Sequence, residues 1–209
     1  AAFQTLSAVI INTHVPSLKA SVVTKTTTLT TRRLAAVGAG VTTVLACDHE
    51  ASGVAHSLAT ALKDKPDLII VVGASVTVDR HDVVPSGIIQ AGGRIVHFGM
   101  PVDPGNLMLL AECETVPVLV LPGCARSPKL NGIDWILQRL AAGVDVAPSD
   151  IMAMGVGGLL VDSPVRPLPR DEAVRPKQTA EGNPRVAALI LAAGQSRRMG
   201  ATNKLLESV

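Results

Sequence analysis

Charged side chains gather in the stretch GASVTVDRHDVVP (73–85), which directly follows an unbroken apolar run. Asp79 and Asp82 are carboxylates, with an arginine and a histidine between them. A carboxylate can hold a hydrated Mg²⁺, which proteins commonly bind through one or two carboxylates together with substrate phosphate. Asp82 also stands where a helix N-cap would be, with Pro85 in the first turn, and a capping role alone explains it equally well.

A second candidate is the stretch PGCARSP (122–128), which follows another apolar run. Gly123 permits close approach of a ligand, and Ser127 and Pro128 fit the N-cap and first position of a helix. A helix N-terminus with Arg126 beside it is a natural phosphate site. The alternative is an ordinary strand-to-helix turn without a ligand.

The remaining reactive residue types give weaker signals. A third loop, PVDPGN (101–106), is a common kind of Pro/Gly turn. The three cysteines have no metal-like spacing and are expected to be reduced thiols, and Cys124 has no neighbouring base that would make it a nucleophile. The five histidines show no ligand spacing, so no zinc site is predicted.

The amino-acid composition argues against nucleic-acid-binding and membrane proteins. Of 209 residues, 47% are apolar and 17% are charged, with a formal net charge of +2. The chain has no Tyr, one Trp and two Phe, so aromatic platforms for stacking nucleic-acid bases are nearly absent. No apolar run reaches the ~18 residues of a membrane span, and no signal peptide is apparent. We therefore expect a cytoplasmic protein that binds neither nucleic acid nor membrane.

These loops must be positioned by the elements around them. Apolar runs predict strands at 6–11, 41–46, 68–72, 94–98, 107–111 and 116–121, and helical periodicity predicts helices at 17–37, 51–64, 82–91 and 128–142. Apolar strands alternating with helices predict an α/β fold, a three-layer α/β/α arrangement with a mostly parallel sheet. Ligands of such sheets bind beyond the C-terminal ends of the strands, where all three loops fall.

The chain changes character after residue 161. Residues 162–184 contain five prolines and mixed charges without apolar periodicity, which is typical of a linker. Residues 185–209 begin another apolar strand and a Gly-containing loop, but they are too few to bury a core. We predict a domain at 1–161, a Pro-rich linker, and a final segment that does not fold alone.

The order of the loops resembles the molybdopterin-binding domain family. The matching stretches are DLIIVVGASVTVDRHDVVP, GGRIVHFGMPVDPGN and VPVLVLPGCARSPKLNGIDWIL, within residues 5–145. This family includes molybdopterin adenylyltransferase, molybdopterin molybdenumtransferase and two domains of gephyrin. Its pattern is a strand, a Gly-Gly-x-Ser/Thr loop, an acidic residue that opens the next helix, and two Pro-Gly loops.

The C-terminal segment carries a second resemblance. LILAAGQSRRMGATNKLL is similar to the opening signature of molybdenum cofactor cytidylyltransferases, in which loop amides, an Arg and a later Lys hold a nucleotide triphosphate. The resemblance implies nucleotide contacts at Gly194, Arg198, Gly200 and Lys204. The rest of such a domain is missing from this sequence.

The first resemblance also implies roles for individual residues. Asp82 would take the place of the acidic residue that is catalytic or binds Mg²⁺. The residues implied to line the pterin or phosphate pocket are Gly73, Ser75, Thr77, Gly105, Gly123, Arg126 and Ser127. The sequence departs from the family pattern at Ala74, at Asn106–Leu107, at Cys124–Ala125 and at the end of the first strand, which reads NTHVPS in place of Gly and an acidic or hydroxyl residue. These departures favour binding over group transfer.

The implied function is binding of molybdopterin or the molybdenum cofactor during cofactor biosynthesis, in a parent protein that also carries a nucleotidyltransferase. Two alternatives stay open, namely an active adenylyl- or molybdenum-transferase and a non-catalytic oligomerisation scaffold. The resemblance further implies Mg²⁺, a homo-oligomer such as a dimer or trimer, and a molybdoenzyme or its chaperone as a partner.

Overall fold

The computed structural model of the chain describes residues 2–155. In chain order its elements are β1 (Leu6–His14), α1 (Ala20–Ala36), β2 (Ala39–Asp48), α2 (Ala51–Lys63), β3 (Leu68–Val72), α3 (Val83–Gln90), β4 (Arg94–Phe98), β5 (Leu109–Cys113), β6 (Val116–Leu121), a 3-10 turn (Gly123–Arg126), α4 (Gly132–Ala141) and α5 (Pro148–Met152). The predicted bounds of β3, β4 and β6 are confirmed. The linker, the nucleotidyltransferase-like segment and its four implied nucleotide contacts lie outside the described residues.

The six strands form one sheet in the order β2-β1-β3-β6-β5-β4. Strands β2, β1, β3 and β6 are parallel to one another, and β5 is antiparallel to both of its neighbours. The mostly parallel α/β sheet is therefore confirmed. The chain turns to one side of β1 to form β2 and to the other side to form β3, so the strand order reverses between β1 and β3. Ligand crevices of open α/β sheets lie at such reversals.

Helices cover both faces of the sheet, because the strands are apolar on both faces. On one face, Leu34 of α1 and Ile133 of α4 share a fully buried cluster with Ile10 and Ile70. On the other face, the buried cluster combines residues of α2 and α3 with the alternate positions of the same strands, among them Ile69. This is the predicted three-layer α/β/α arrangement.

The start of α4 differs from the prediction. Asn131, not Ser127, is the N-cap, because its side chain accepts from the Ile133 amide at 3.2 Å while the Asp134 carboxylate accepts from the Asn131 amide at 2.9 Å. This reciprocal pair is a capping box. Pro128 consequently lies in the loop before the helix. The predicted cap and first helical position were therefore four residues too early.

Two further observations complete the fold. β1 continues beyond its apolar run, since Asn12 and Thr13 are polar yet 4% and 1% exposed within the strand. Residues 2–155 contain no helix that is both long enough and apolar enough to cross a bilayer.

Candidate functional site

The loops that the sequence singled out meet at one edge of the sheet. The parallel strands β1, β2, β3 and β6 all end there, and β4 runs in the same direction. Two neighbouring sites result. We call the depression between the ends of β3 and β6 the β3–β6 crevice, and the edge between the ends of β1 and β3, where the strand order reverses, together with the loop after β2, the β1–β3 crevice.

The β3–β6 crevice brings together four of the predicted pocket residues. Its lining includes Gly73, Ser75, Gly123 and Arg126. Nη2 of Arg126 donates to the carbonyl oxygen of Gly73 at 2.9 Å, so one guanidinium joins the two loops. The depression holds only about 10 Å³, roughly the room that one water molecule needs. A larger ligand would therefore lie across its mouth.

The buried hydroxyl of Thr13 lies at the centre of the β1–β3 crevice. Oγ1 of Thr13 accepts from the Ala74 amide at 2.7 Å and lies 2.8 Å from Nδ1 of His49. The backbone supports this contact, because the His49 amide donates to the carbonyl oxygen of His14 at 2.9 Å. The ends of all three strands β1, β2 and β3 are thus connected through Thr13.

Both crevices use the same peptide group. The carbonyl of Gly73 and the amide of Ala74 belong to one peptide unit, since these residues are consecutive. Arg126 holds the oxygen of this unit from the β6 side, and Thr13 holds its N–H from the β1 side. The peptide that follows β3 is therefore fixed at both ends, which sets the course of the 73–82 loop.

Asp82 occupies the N-cap position of α3, as predicted, but its side chain does not cap the helix. Its Oδ2 accepts from the Val78 amide at 2.7 Å and from the Asp79 amide at 3.0 Å, in the preceding turn. These two hydrogen bonds, first that of Val78, lower the pKa of Asp82, and the charge of His49 lowers it further. Asp82 is thus ionised at neutral pH, and its Oδ1 takes no part in the two loop bonds.

His49 shares the electrostatic environment of Asp82. Burial lowers the pKa of His49 below its usual value near 6.5, and the negative charge of Asp82 opposes this effect. His49 is therefore mostly neutral at pH 7. Close by, the exposed side chains of His14 and Asp48 form a pair, with Nε2 of His14 2.9 Å from Oδ1 of Asp48.

The carboxylates do not form a multidentate protein site for metal. Among residues 2–155 there is no group of three or more His, Cys, Asp or Glu side chains that could hold an ion together. A divalent cation at Asp82 would take its other ligands from water and from a bound phosphate, as Mg²⁺ commonly does.

The other predicted pocket residues do not line the β3–β6 crevice. Thr77 is 6% exposed. Gly105 has a φ of 134°, and a Cβ there would lie 2.9 Å from the Gly132 amide, so it lets the 99–108 loop pack against α4. The carbonyl of Ser127 accepts from Nη2 of Arg33 at 2.6 Å. Gly105 and Ser127 thus support the loops around the crevice.

Sequence reasoning missed Thr13, His49 and Arg33. Thr13 lies in NTH, the last three residues of β1, and His49 directly follows Asp48, the last residue of β2. Because parallel strands end at one edge, polar residues at those ends meet in space even when they are far apart in sequence. Applying that rule to the first two strands, and not only to the later loops, would have found Thr13 and His49. No sequence signal distinguished Arg33 from Arg32.

No protein-family model matches the chain, and no curated protein matches it. Solved structures with a similar fold include a molybdopterin biosynthesis protein (moea) from Pyrococcus horikosii, 14% identical with a TM-score of 0.46 over 65% of this chain. This chain covers 35% of that protein, about a third of its length.

Two smaller structures are also similar. CinA of Thermoplasma acidophilum, a protein described as having unknown function, is 15% identical with a TM-score of 0.40, covering 57% of this chain and 89% of its own. A molybdopterin biosynthesis protein from Mycobacterium abscessus is 16% identical with a TM-score of 0.40, covering 65% of this chain and 96% of its own. At these identities the similarity concerns the fold alone.

Proposed function

We propose that this chain binds molybdopterin or the molybdenum cofactor during molybdenum cofactor biosynthesis, at the sheet edge formed by the two crevices. The observation that carries the proposal is the convergence of Gly73, Ser75, Gly123 and Arg126 around one depression. The sequence resemblance implies these residues for the pterin or phosphate pocket, and in the fold they meet although they come from two loops about 50 residues apart.

The β3–β6 crevice suits the phosphate of such a ligand. A guanidinium has five N–H donors, and the carbonyl oxygen of Gly73 takes a hydrogen bond from Nη2 of Arg126. Further donors of Arg126 can bind phosphate oxygens, with the geometry that favours arginine at phosphate sites. The two glycines remove side chains that would block the backbone. Val76, which lines the crevice and is 47% exposed, offers apolar surface to a ring lying across the mouth.

Asp82 fits a magnesium ion shared with the ligand. Its lowered pKa keeps the carboxylate ionised, which a metal ligand requires, and Oδ1 is outside the two loop hydrogen bonds. Mg²⁺, when bound, would neutralise part of the phosphate charge. Ala74 replaces the second glycine of the family loop, and its amide already donates a hydrogen bond to Oγ1 of Thr13. For this reason we favour binding over adenylyl or molybdenum transfer by these residues.

Calorimetric titration with molybdopterin, with and without Mg²⁺, tests the proposal. Arg126→Ala is expected to weaken binding by about ten- to a hundredfold, the effect of losing a charge-assisted hydrogen bond of about 1.5–3 kcal/mol. Arg126→Lys is expected to recover only part, because an ammonium cannot make the paired hydrogen bonds.

The control is Cys124→Ser in the same loop. The thiol of Cys124 accepts from the Asn131 side chain at 3.3 Å, and a serine hydroxyl keeps an acceptor there. Its affinity should therefore stay close to that of the wild type. Arg126→Ala binding like the wild type, or Cys124→Ser binding worst, would mean that the phosphate lies elsewhere.

A second arm tests the metal. Asp82→Asn keeps an oxygen that can accept from the Val78 and Asp79 amides, but it removes the charge that a cation needs. Binding without Mg²⁺ should change little, and the gain in affinity on adding Mg²⁺ should be lost. If the folded variant gains as much from Mg²⁺ as the wild type does, Asp82 has no role in metal binding.

A further inference from the structure

The hydrogen bonds of Thr13 favour one of the two positions for the proton of a neutral His49. Thr13 is 1% exposed, and its Oγ1 already accepts from the Ala74 amide. A buried hydroxyl hydrogen without an acceptor is costly, and Nδ1 of His49 at 2.8 Å is the acceptor within reach. If the hydroxyl donates to Nδ1, a neutral imidazole must carry its hydrogen on Nε2.

The same geometry excludes a nucleophilic role for Thr13. A hydroxyl beside a histidine, with a carboxylate near the ring, resembles the order of a nucleophile, its base and the residue that orients the base. A nucleophile must reach its substrate, however, and Thr13 is buried in β1 with its oxygen engaged by the Ala74 amide. The contact between Thr13 and His49 therefore positions the ring.

The charges at the edge separate the two crevices. Asp82 and the exposed Asp48 lie on the β1–β3 side, whereas the guanidinium of Arg126 lies on the β3–β6 side. Opposite charges attract, so an anionic phosphate is favoured at Arg126, whereas beside Asp82 it would need the Mg²⁺ that this carboxylate would hold. The uncharged part of a phosphorylated ligand is left for the β1–β3 crevice.

We propose that His49, held as its Nε2–H tautomer by Thr13, orients the ligand by donating a hydrogen bond to a neutral acceptor oxygen of a heterocyclic ring. Thr13 is a positioning residue in this arrangement. His49 donates a hydrogen bond to the ring, and Arg126 binds the phosphate. This inference rests on the proposed function and adds the direction in which the ligand lies. One peptide group separates the two crevices, so a single ligand can reach both.

The first test needs no ligand. Long-range ¹H–¹⁵N NMR of the full chain distinguishes the two neutral tautomers, and we expect His49 as Nε2–H at pH 7.5. In Thr13→Val the resonances should move to a mixture of tautomers, while Thr13→Ser should restore the wild-type pattern. Finding Nδ1–H in the wild type, or no change in Thr13→Val, would overturn the positioning role.

The second test separates the two ends of the ligand with fragments, namely unphosphorylated pterin and inorganic phosphate, followed by NMR shift titration. His49→Ala should weaken pterin binding about two- to tenfold, as expected for one neutral hydrogen bond, and leave phosphate binding unchanged. Arg126→Ala should do the reverse. His49→Gln, whose amide N–H can replace the ring donor, should keep most of the pterin affinity.

The outcomes distinguish this inference from the proposed function. Equal losses for both fragments in His49→Ala, or unchanged pterin binding in that variant, would overturn the orientation. Wild-type protein that binds neither fragment nor molybdopterin would overturn the proposed function and, with it, the role of His49 toward a pterin. The tautomer measurement would still decide whether Thr13 sets the state of the ring.

Discussion

The two crevices lie side by side at one sheet edge, yet different groups form them. The β3–β6 crevice consists of glycine backbone and the guanidinium of Arg126, and it comes from two short motifs. The β1–β3 crevice consists of polar and titratable side chains from three separate segments, joined by Thr13. The β3–β6 crevice can neutralise an anion, and the β1–β3 crevice can form hydrogen bonds with a neutral polar group. A ligand with a charged end and a neutral end matches the pair better than it matches either crevice alone.

Arg33 of α1 holds the loop that connects the β3–β6 crevice to α4, and we expect its substitution to have the largest effect on stability. Arg33 pairs with Asp134 and donates to the carbonyls of Ser127 and Lys129 at 2.6 and 3.0 Å, and the two paired side chains are only 9% and 17% exposed. Arg33→Ala should cost about 3–5 kcal/mol, because it leaves a mostly buried charge without its partner.

Urea denaturation of Arg33→Ala measures this cost, and Arg32→Ala is the matched control. Arg32 is the exposed neighbour on the same helix, so its removal should stay within about 0.5 kcal/mol. Equal stability of the two variants would show that the loop before α4 is held in another way.

Thr13→Val probes the β1–β3 crevice and should have the next largest effect. Valine keeps the shape but leaves the Ala74 amide and Nδ1 of His49 without the hydroxyl, at a cost of about 1–3 kcal/mol. The control is Thr28→Val, whose exposed hydroxyl bonds only to the carbonyl of Thr24 in its own helix. Thermal unfolding that gives the two variants the same midpoint would contradict a structural role for Thr13.

Two glycines compare the two loops that line the β3–β6 crevice. A Cβ at Gly73 would lie 2.7 Å from the carbonyl oxygen of Ser75, whereas a Cβ at Gly123 would lie 3.3 Å from a methyl group of Val76. Backbone cannot move aside as a side chain can, so Gly73→Ala should cost roughly 1–2 kcal/mol and Gly123→Ala less. The order of their denaturation midpoints tests this difference, and a reversed order would contradict it.

The smallest expected effect is the pH dependence contributed by Asp82. Its pKa is lower in the folded chain than in the unfolded chain, so its hydrogen bonds stabilise the fold above pH ~4 and are lost as the pH falls through the folded pKa. Solvent screening limits the contribution to about 0.5 kcal/mol. The stability difference between wild type and Asp82→Asn should shrink between pH 6 and pH 3. A difference that does not depend on pH would show that the charge of Asp82 has no part in it.

Sequence patterns predicted most of the fold because apolar runs mark buried parallel strands directly. The bounds of β3, β4 and β6 and the helices on both faces are confirmed, and the loops singled out by the sequence lie at strand ends. The start of α4 was predicted wrongly, because Ser127–Pro128 satisfied the local pattern for a helix start. The capping box of Asn131 and Asp134, which satisfies two backbone amides, fixes the start four residues later.

The candidate site was predictable only where it is contiguous in sequence. Gly73, Ser75, Gly123 and Arg126 stand out within short motifs, and they line one crevice. Thr13 and His49 stand 36 positions apart, and their contact depends on the register of β1 with β2. The sequence also did not predict that the Asp82 side chain faces the preceding turn. A residue at an N-cap position is expected to accept hydrogen bonds from the amides of its own helix.

The peptide group between Gly73 and Ala74 links the hydrogen bonds of the two crevices. Hydrogen bonds at the oxygen and at the N–H of one amide polarise it in the same sense, so each strengthens the other. A phosphate that draws Arg126 away from Gly73 would make the Ala74 amide a weaker donor to Thr13. We therefore expect such a phosphate to weaken the contact of Thr13 with the Ala74 amide, and any coupling of this kind is reciprocal. In a double-mutant cycle, Thr13→Val and Arg126→Ala should therefore lose less stability together than the sum of their separate losses.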